Sequence, residues 1–377
     1  MKLLLWLSRI VLGGIFIFSG FVKAIDPLGS AYKFQDYFLA FNMEGLLFLA
    51  LPAAILLSTL EFVVGIGVLT GIRMRLSAMG ALLFMAFFTP LTLYIAITDP
   101  VPDCGCFGDA IIITNWETFY KNVFILAAAI IVFIYRKRIR VPWTGKVDNL
   151  LAIIVTAGVI FLSGYCLFYI PVIDFRPWKV GNDISELVMP TEEIADTYLI
   201  FENQETGETR EYPADDYPWD DPEWAEVWEF RDQRREVVQE YQEAEIDAFY
   251  IEDEFGDDLT DFYITRPGYL FIVVAHDLYR TNTRAFEQRI TPLAREAEQA
   301  GIPLIVLTGS SHDAIEQFRH SYQTPYPFYL SDDIELKTII RSNPGLVLLK
   351  DGIINAKWAH RRIPSMDEII EEGIISR

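Results

Sequence analysis

A membrane-embedded all-α helical bundle followed by a separate α/β domain is the fold class this 377-residue sequence predicts. Three observations predict it. Five apolar stretches in the first half are each long enough to cross a bilayer's roughly 30 Å of hydrocarbon, which takes about 20 helical residues. Charge divides along the chain: residues 1–170 carry 12 Lys/Arg against 9 Asp/Glu, and residues 171–377 carry 19 against 43. The second half alternates strand-like and helix-like patterns, which implies a partly parallel sheet.

The apolar stretches are approximately 4–24, 46–70, 76–98, 117–135 and 150–170. Lys2 and Arg9 give the first one the look of a signal peptide, and Val22-Lys23-Ala24 looks like a cleavage site. A charged residue inside such a site is unusual and four spans follow, so the stretch reads as a retained helix. Basic residues in short loops set orientation. Arg73 and Arg75 follow the second span, and Arg136, Lys137, Arg138, Arg140 and Lys146 follow the fourth, so these ends are expected in the cytoplasm. The loops at 25–45 and 99–116 hold Asp26, Asp36, Glu44, Asp99, Asp103 and Asp109 against one clear lysine, Lys33, and are expected outside. An odd number of spans then exports residues 171–377, with the N-terminus inside. The expected divisions are a bundle at 1–145, a fifth transmembrane helix at 146–172, an acidic extension at 173–262 and an α/β domain at 263–377. The whole chain is 52% hydrophobic yet has a net charge of −21. The exported half is strongly acidic and repels phosphate backbones, which argues against nucleic acid and leaves the lipid bilayer as the partner that composition names.

Two charges interrupt the apolar stretches. Glu61 lies near the middle of the second span, where a carboxylate costs at least ~2.5 kcal/mol and needs a partner, a proton or a cavity. It reads either as a proton or ligand site or as an interhelical hydrogen bond to Ser58, Thr59 or Lys23. Lys23 is close enough to the outer boundary to snorkel and reads first as an anchor, then as a partner for Glu61.

The sharpest local signal is the outward Asp103-Cys104-Gly105-Cys106-Phe107-Gly108-Asp109. Thiols two residues apart can close a small ring, and Gly105 relieves the clash that closure would bring. So tight a ring departs from relaxed disulfide geometry and is easily reduced, which suits exchange chemistry through a mixed disulfide. A static loop disulfide and two inert thiols are the other readings. A metal site is disfavoured, because all four histidines lie beyond residue 275.

Taken together, Ile17 to Pro27, Glu61 and the Cys104-to-Gly108 element resemble the DoxX family, and more closely its relatives grouped with the methylamine-utilisation protein MauE. The resemblance covers roughly residues 1–135, and Cys-Gly-Cys-Phe-Gly is its most specific part. It implies a four-helix membrane bundle, here with a fifth helix added. It also implies a role in maturing a disulfide-rich periplasmic enzyme. Cys104 and Cys106 would be the catalytic residues, with Lys23, Glu61, Phe107 and Asp109 at the binding site. The arrangement also resembles DoxX-type proteins of Bacteroidetes with a long C-terminal extension, which implies the inner membrane and a periplasmic second half.

In the exported half, Thr197 to Phe201 reads as a strand, Asn203 to Glu208 as a turn into its partner, and 212–222 as loop. Residues 223–245 have helical spacing (Trp224, Val227, Trp228, Val237, Val238, Tyr241). Their acidic residues read as a solvated face, with calcium a lesser alternative and no EF-hand spacing. Residues 248–260 read as strand, turn, short strand. Strands follow at 270–275 and 302–307 and helices at 284–300 and 313–322. A hairpin turns at Asp351-Gly352, and Ser365 with Glu368 caps a final helix.

This order resembles a membrane-anchored thioredoxin-like domain, in which Pro344 would be the cis-proline of the binding site. The family's CxxC would fall near His276 to Asn282, and residues 171–377 contain no cysteine. The resemblance therefore implies a module that binds a partner without dithiol chemistry of its own. His276 beside Asp277 reads as a surface contact, since no nucleophile or metal partner accompanies it.

Two functions follow. One is an envelope thiol–disulfide or protein-maturation factor, with a periplasmic protein as partner or disulfide substrate; a quinone would serve as its membrane acceptor, although no residue pattern specifies one. The alternative is a non-enzymatic scaffold that anchors an acidic binding domain. A carrier working through Glu61 is less attractive without an internal repeat.

Overall fold

The structure is a computed structural model that describes residues 2–139, 143 and 145–375; Arg140, counted above among the cytoplasmic charges, lies outside the described residues. Six helices form the first half: α1 (Lys2–Ile25), α2 (Pro27–Ala40), α3 (Ala50–Thr70), α4 (Met74–Thr98), α5 (Asn115–Tyr135) and α6 (Gly145–Phe168). All but α2 are long and apolar enough to cross a membrane, α3 being extended at its start by a 3₁₀ turn, Glu44–Leu49. Leu3, Phe48, Phe124 and Phe161 stand exposed on the bundle's outer surface. Apolar surface on this scale is unsustainable in water and suits lipid contact. The chain is a multi-pass membrane protein.

Lipid tails are as apolar as leucine, so helices in a membrane associate by close packing rather than by hydrophobic drive. Glycines supply that packing between α1 and α3. A Cβ on Gly20 would sit 2.5 Å from the Phe62 backbone nitrogen, and one on Gly65 2.7 Å from that of Ile17. Leu12, Phe16, Val64, Val68, Ala78 and Ala129 fill the core behind them. At the end carrying the basic connections, Arg9 Nε and Nη2 donate to the carbonyls of Val68 and Leu69. These are orphan acceptors of the last turn of α3.

The 25–45 segment, expected to be a loop, contains α2. Asp26 caps it, accepting from Gly29 N at 2.9 Å, and Pro27 occupies the first turn. Both are ordinary helix-start residues.

The second half holds two sheets. The smaller is antiparallel, in the order β2-β1-β3, from β1 (Ile194–Asn203), β2 (Thr209–Pro213) and β3 (Trp228–Gln239). The helix expected over 223–245 is thus corrected: only Pro222–Val227 is helical. Residues after it lie along β1, with ion pairs Arg231–Glu202 and Arg235–Glu193 to that side and Arg234 reaching across β1 to Glu211 of β2. Such pairs stabilise a sheet as i,i+4 pairs do a helix. Phe201 packs among Tyr212, Tyr217, Trp224 and Phe230 as this sheet's own small core.

The larger sheet is mixed, in the order β6-β5-β4-β7-β8, from β4 (Tyr269–Val274), β5 (Leu304–Thr308), β6 (Phe328–Leu330), β7 (Gly345–Lys350) and β8 (Ile353–Ala359). β4, β5 and β6 run parallel, β7 runs antiparallel to β4, and β8 runs antiparallel to β7. Alternation along β4 sends Phe271 and Val273 into a core with Phe286, Leu293 and Phe318. Leu270, Ile272 and Val274 enter the opposite core with Trp178, Ile264 and Leu336. β6 and the helix Asp333–Ile339 were not expected, because three residues carry too little periodicity to register. The expected strands at 248–260 are only isolated bridges, Glu252 to Asp258 and to Leu330. The final helix opens on the Ser365–Glu368 capping box, and the Asn343–Pro344 peptide bond is cis.

Candidate functional site

The Cys104-Gly105-Cys106 loop is fastened to three helices. Asn115 at the start of α5 donates to Asp99 Oδ1 and to the Val101 carbonyl. Asp103 accepts from Gly105 N at 2.7 Å and from Lys33 Nζ of α2 at 2.6 Å. Tyr37 of α2 donates its hydroxyl proton to the Cys104 carbonyl at 3.0 Å. The Ser19 hydroxyl of α1 lies 2.7 Å from the Cys106 carbonyl. Gly105 has φ +65°, a conformation that side chains resist, so glycine is needed for the turn that brings the flanking thiols together.

The two sulfurs are free thiols 2.9 Å apart. The pair is asymmetric. The hydrogen bond from Cys104 outweighs burial and, with Lys121 and Lys23, draws the Cys106 thiol down to about 6. The same bond, with burial, pushes Cys104 well above the ordinary thiol range. The opposite shifts favour a proton on Cys104 shared toward the Cys106 sulfur.

Directly beneath lies the intramembrane ion pair. Lys23 Nζ donates to both Glu61 oxygens, at 2.8 and 3.0 Å, and to Ser19 Oγ at 3.0 Å. Ser19 also reaches Glu61 Oε2 at 2.9 Å, so its one proton serves either Glu61 or the Cys106 carbonyl. Of the partners considered for Glu61, Lys23 is the one in contact; Ser58 donates to the Ile55 carbonyl instead. Lys23 is buried and ion-paired rather than snorkelling to the boundary. Phe107 packs on Phe18 and carries Lys121 4.1 Å above its ring.

The thiols open onto a cavity of about 610 Å³ enclosed by α1, α2, α3, α4 and α5 and walled by aromatic and aliphatic side chains. On the loop's other side, a void of only about 30 Å³ separates Gly105, Gly108 and Asp109 from the 171–176 segment. Arg341 closes this side. Its guanidinium reaches Asp26 Oδ2 and Asp109 Oδ2, each at 2.8 Å, and donates to the Lys337 carbonyl. Burial alone would raise Asp26, but Arg341 and then Arg176 hold it below the usual carboxylate range. At Asp109 burial wins over Arg341 and the carboxyl is raised.

Six of the seven site residues read from the sequence therefore converge: Cys104, Cys106, Phe107, Asp109, Lys23 and Glu61. Pro344 does not join them; it lies in the second half, three positions after Arg341. Arg341, Tyr37, Ser19 and Lys33 were missed. Ser19 and Lys33 stand within or beside the quoted motifs, but nothing local marks Arg341. His276 Nδ1 has no hydrogen-bond partner among the described residues, and burial lowers the ring to about 4. Asp277 accepts from Tyr279 N instead of facing that ring.

No curated protein matches this chain. The part that carries the thiols and the ion pair, residues 1–135, matches the model of the family described as methylamine utilisation protein MauE, to which this membrane half is similar.

Proposed function

We propose that this protein is a thiol–disulfide factor of the cell envelope, working through Cys104 and Cys106. The observation that carries this reading is the asymmetric thiol pair, 2.9 Å apart in a loop whose backbone is tied to α1, α2 and α5. A thiolate is the competent nucleophile, and a second thiol at contact distance resolves the mixed disulfide. In the oxidised state, a partner thiolate attacks one sulfur and the Cys104–Cys106 bond breaks. A second partner thiolate then displaces that cysteine, leaving a partner disulfide and two reduced cysteines.

The basic connections at one end of the bundle support a reading in which the Cys104 loop lies outside the cytoplasm, in a bacterial periplasm. The mixed sheet with a cis proline before β7 supports a thioredoxin-like second half. Without cysteines it would position a partner rather than exchange with it. The Arg341 clamp on Asp26 and Asp109 supports the scaffold alternative, in which the two halves are simply held together.

The test is differential alkylation of intact cells with permeant and impermeant maleimides, combined with acid trapping of mixed disulfides. The exchange reading expects Cys104→Ser to accumulate a trapped partner on Cys106. If that variant leaves envelope thiols unchanged and the double Cys→Ala variant complements a deletion, the scaffold reading stands instead.

A further inference from the structure

We propose that Arg361 and Arg362, together with an apolar stripe of α6, bind an anionic phospholipid, its phosphate held by the two guanidiniums and its acyl chains laid along the helix. The proposal stands independently of the thiol reading above.

Position, charge and shape carry it. A 3₁₀ turn, His360–Arg362, follows β8 and lies against the end of α6. The Arg361 guanidinium sits 4.3 Å from the centre of the Phe168 ring, and that of Arg362 4.5 Å from the centre of the Tyr169 ring. The Tyr165 ring lies 4.9 Å from that of Tyr169 and widens the aromatic group. Aromatic residues at the end of a spanning helix mark the level of the lipid headgroups, where one side of a ring is apolar and the other wet. Two cations are thereby held at headgroup level.

Residues 171–377 carry 43 Asp/Glu against 19 Lys/Arg. Even so, neither Arg361 nor Arg362 has a carboxylate or any other hydrogen-bond acceptor among the described residues, and both are exposed. Arg289 adds a third positive charge nearby. Its Nη1 donates to the Ile363 carbonyl at 2.8 Å. Burial, then Arg361 and Arg289, lower the pKa of His360, so the histidine stays neutral beside these cations. The negative end of the α6 dipole offers only about half an elementary charge in return. A surplus of positive charge is left with open donors, and a guanidinium fork matches the oxygens of a phosphate.

Ile154, Phe161 and Phe168 recur every seven residues along α6, close to two helical turns, so they share one face. All three are exposed. This stripe runs up to the ring beneath Arg361, and an apolar track ending at a cation has the order of a phospholipid, tail first and phosphate last. A zwitterionic lipid brings an ammonium of its own and leaves the surplus uncompensated; an anionic one neutralises it. Bound there, the lipid bridges α6 and the turn after β8 and fastens the second half to the bilayer.

The experiment titrates the full chain, in a neutral detergent, with dioleoyl phosphatidylglycerol or dioleoyl phosphatidylcholine and reads retained lipid by native mass spectrometry. The wild type should hold phosphatidylglycerol more tightly by roughly 25-fold, about fivefold for each arginine. Arg361→Gln with Arg362→Gln should abolish the preference while leaving phosphatidylcholine binding and the melting temperature in detergent unchanged. Arg319→Gln, which removes a cation already paired with Glu316, should keep it. A photoreactive phosphatidylglycerol should label the end of α6 or the turn after β8 in the wild type, which decides the matter if the double variant does not fold. Equal affinity for the two lipids, a preference undiminished in the double variant, or label elsewhere overturns the site. Inorganic phosphate that displaces phosphatidylglycerol at equal concentration would reveal a free-anion site and overturns the lipid assignment.

Discussion

Cys106 is the residue on which the proposed thiol–disulfide chemistry turns. A thiol at about 6 is largely ionised at neutral pH, and reactivity follows the thiolate. Since the anion is the reactive form, alkylation should rise with pH through a midpoint near 6, rather than near the ~8.5 of a free cysteine. The proton that Cys104 donates is the largest cause of the depression. Cys104→Ala should therefore move the midpoint of a maleimide rate profile upward by a unit or more. An unchanged midpoint would mean that Lys121 and Lys23 do the work alone. Glu61 and Lys23 make a second pair whose members cannot be removed singly. Glu61→Leu leaves a buried ammonium uncompensated and should cost about 3–5 kcal/mol, whereas Glu61→Leu with Lys23→Met should recover most of it. Thermal unfolding in detergent compares the two; equal losses would show that the pair is not coupled.

Helix α2 and the α1–α3 interface matter most among the elements. Without α2, neither Lys33 nor Tyr37 would reach the cysteine loop. Its capping residues, Asp26 and Pro27, are plain in the sequence, yet the segment lies outside the apolar stretches and its hydrophobic periodicity is shallow. Against α1, α3 packs through Gly20 and Gly65, where a Cβ would strike backbone rather than a movable side chain. Gly20→Ala should thus lower stability by about 1–3 kcal/mol, the usual range for overpacking, and should loosen Ser19 from the Cys106 carbonyl. Gly14→Ala is the control, because nothing lies within 4 Å of its added carbon. Equal melting temperatures for the two variants would remove the close-packing argument. Strand β3 shows the converse of α2. The Trp and Val spacing in it fits a helix equally well, and only pairing with β1 selects the extended form.

At the scale of the whole molecule, Arg341 joins the two halves. It lies 315 positions from Asp26 and 232 from Asp109, and with the 171–176 segment it packs on the side of the cysteine loop away from the large cavity. On the proposed reading, a protein partner would reach those sulfurs when this contact opens. Arg341→Ala should accordingly speed labelling of Cys104 and Cys106 by a water-soluble maleimide several-fold, with Arg341→Lys intermediate because an ammonium cannot bridge two carboxylates as a guanidinium does. Labelling at the wild-type rate in both variants would show that Arg341 does not limit access.

The sequence by itself determined the five membrane-crossing helices, the acidic second half and most strands of the larger sheet. Each of these is written in local hydropathy, charge or a short motif, and lipid and water sort such segments wherever the rest of the chain lies. Only the tertiary structure decided that Lys23, rather than Ser58 or Thr59, neutralises Glu61, that residues 228–239 form a strand, and that Arg341 rests on the cysteine loop. Those outcomes depend on which distant side chain is present to share a buried charge or an open hydrogen-bonding edge, and no local pattern encodes a neighbour hundreds of residues away.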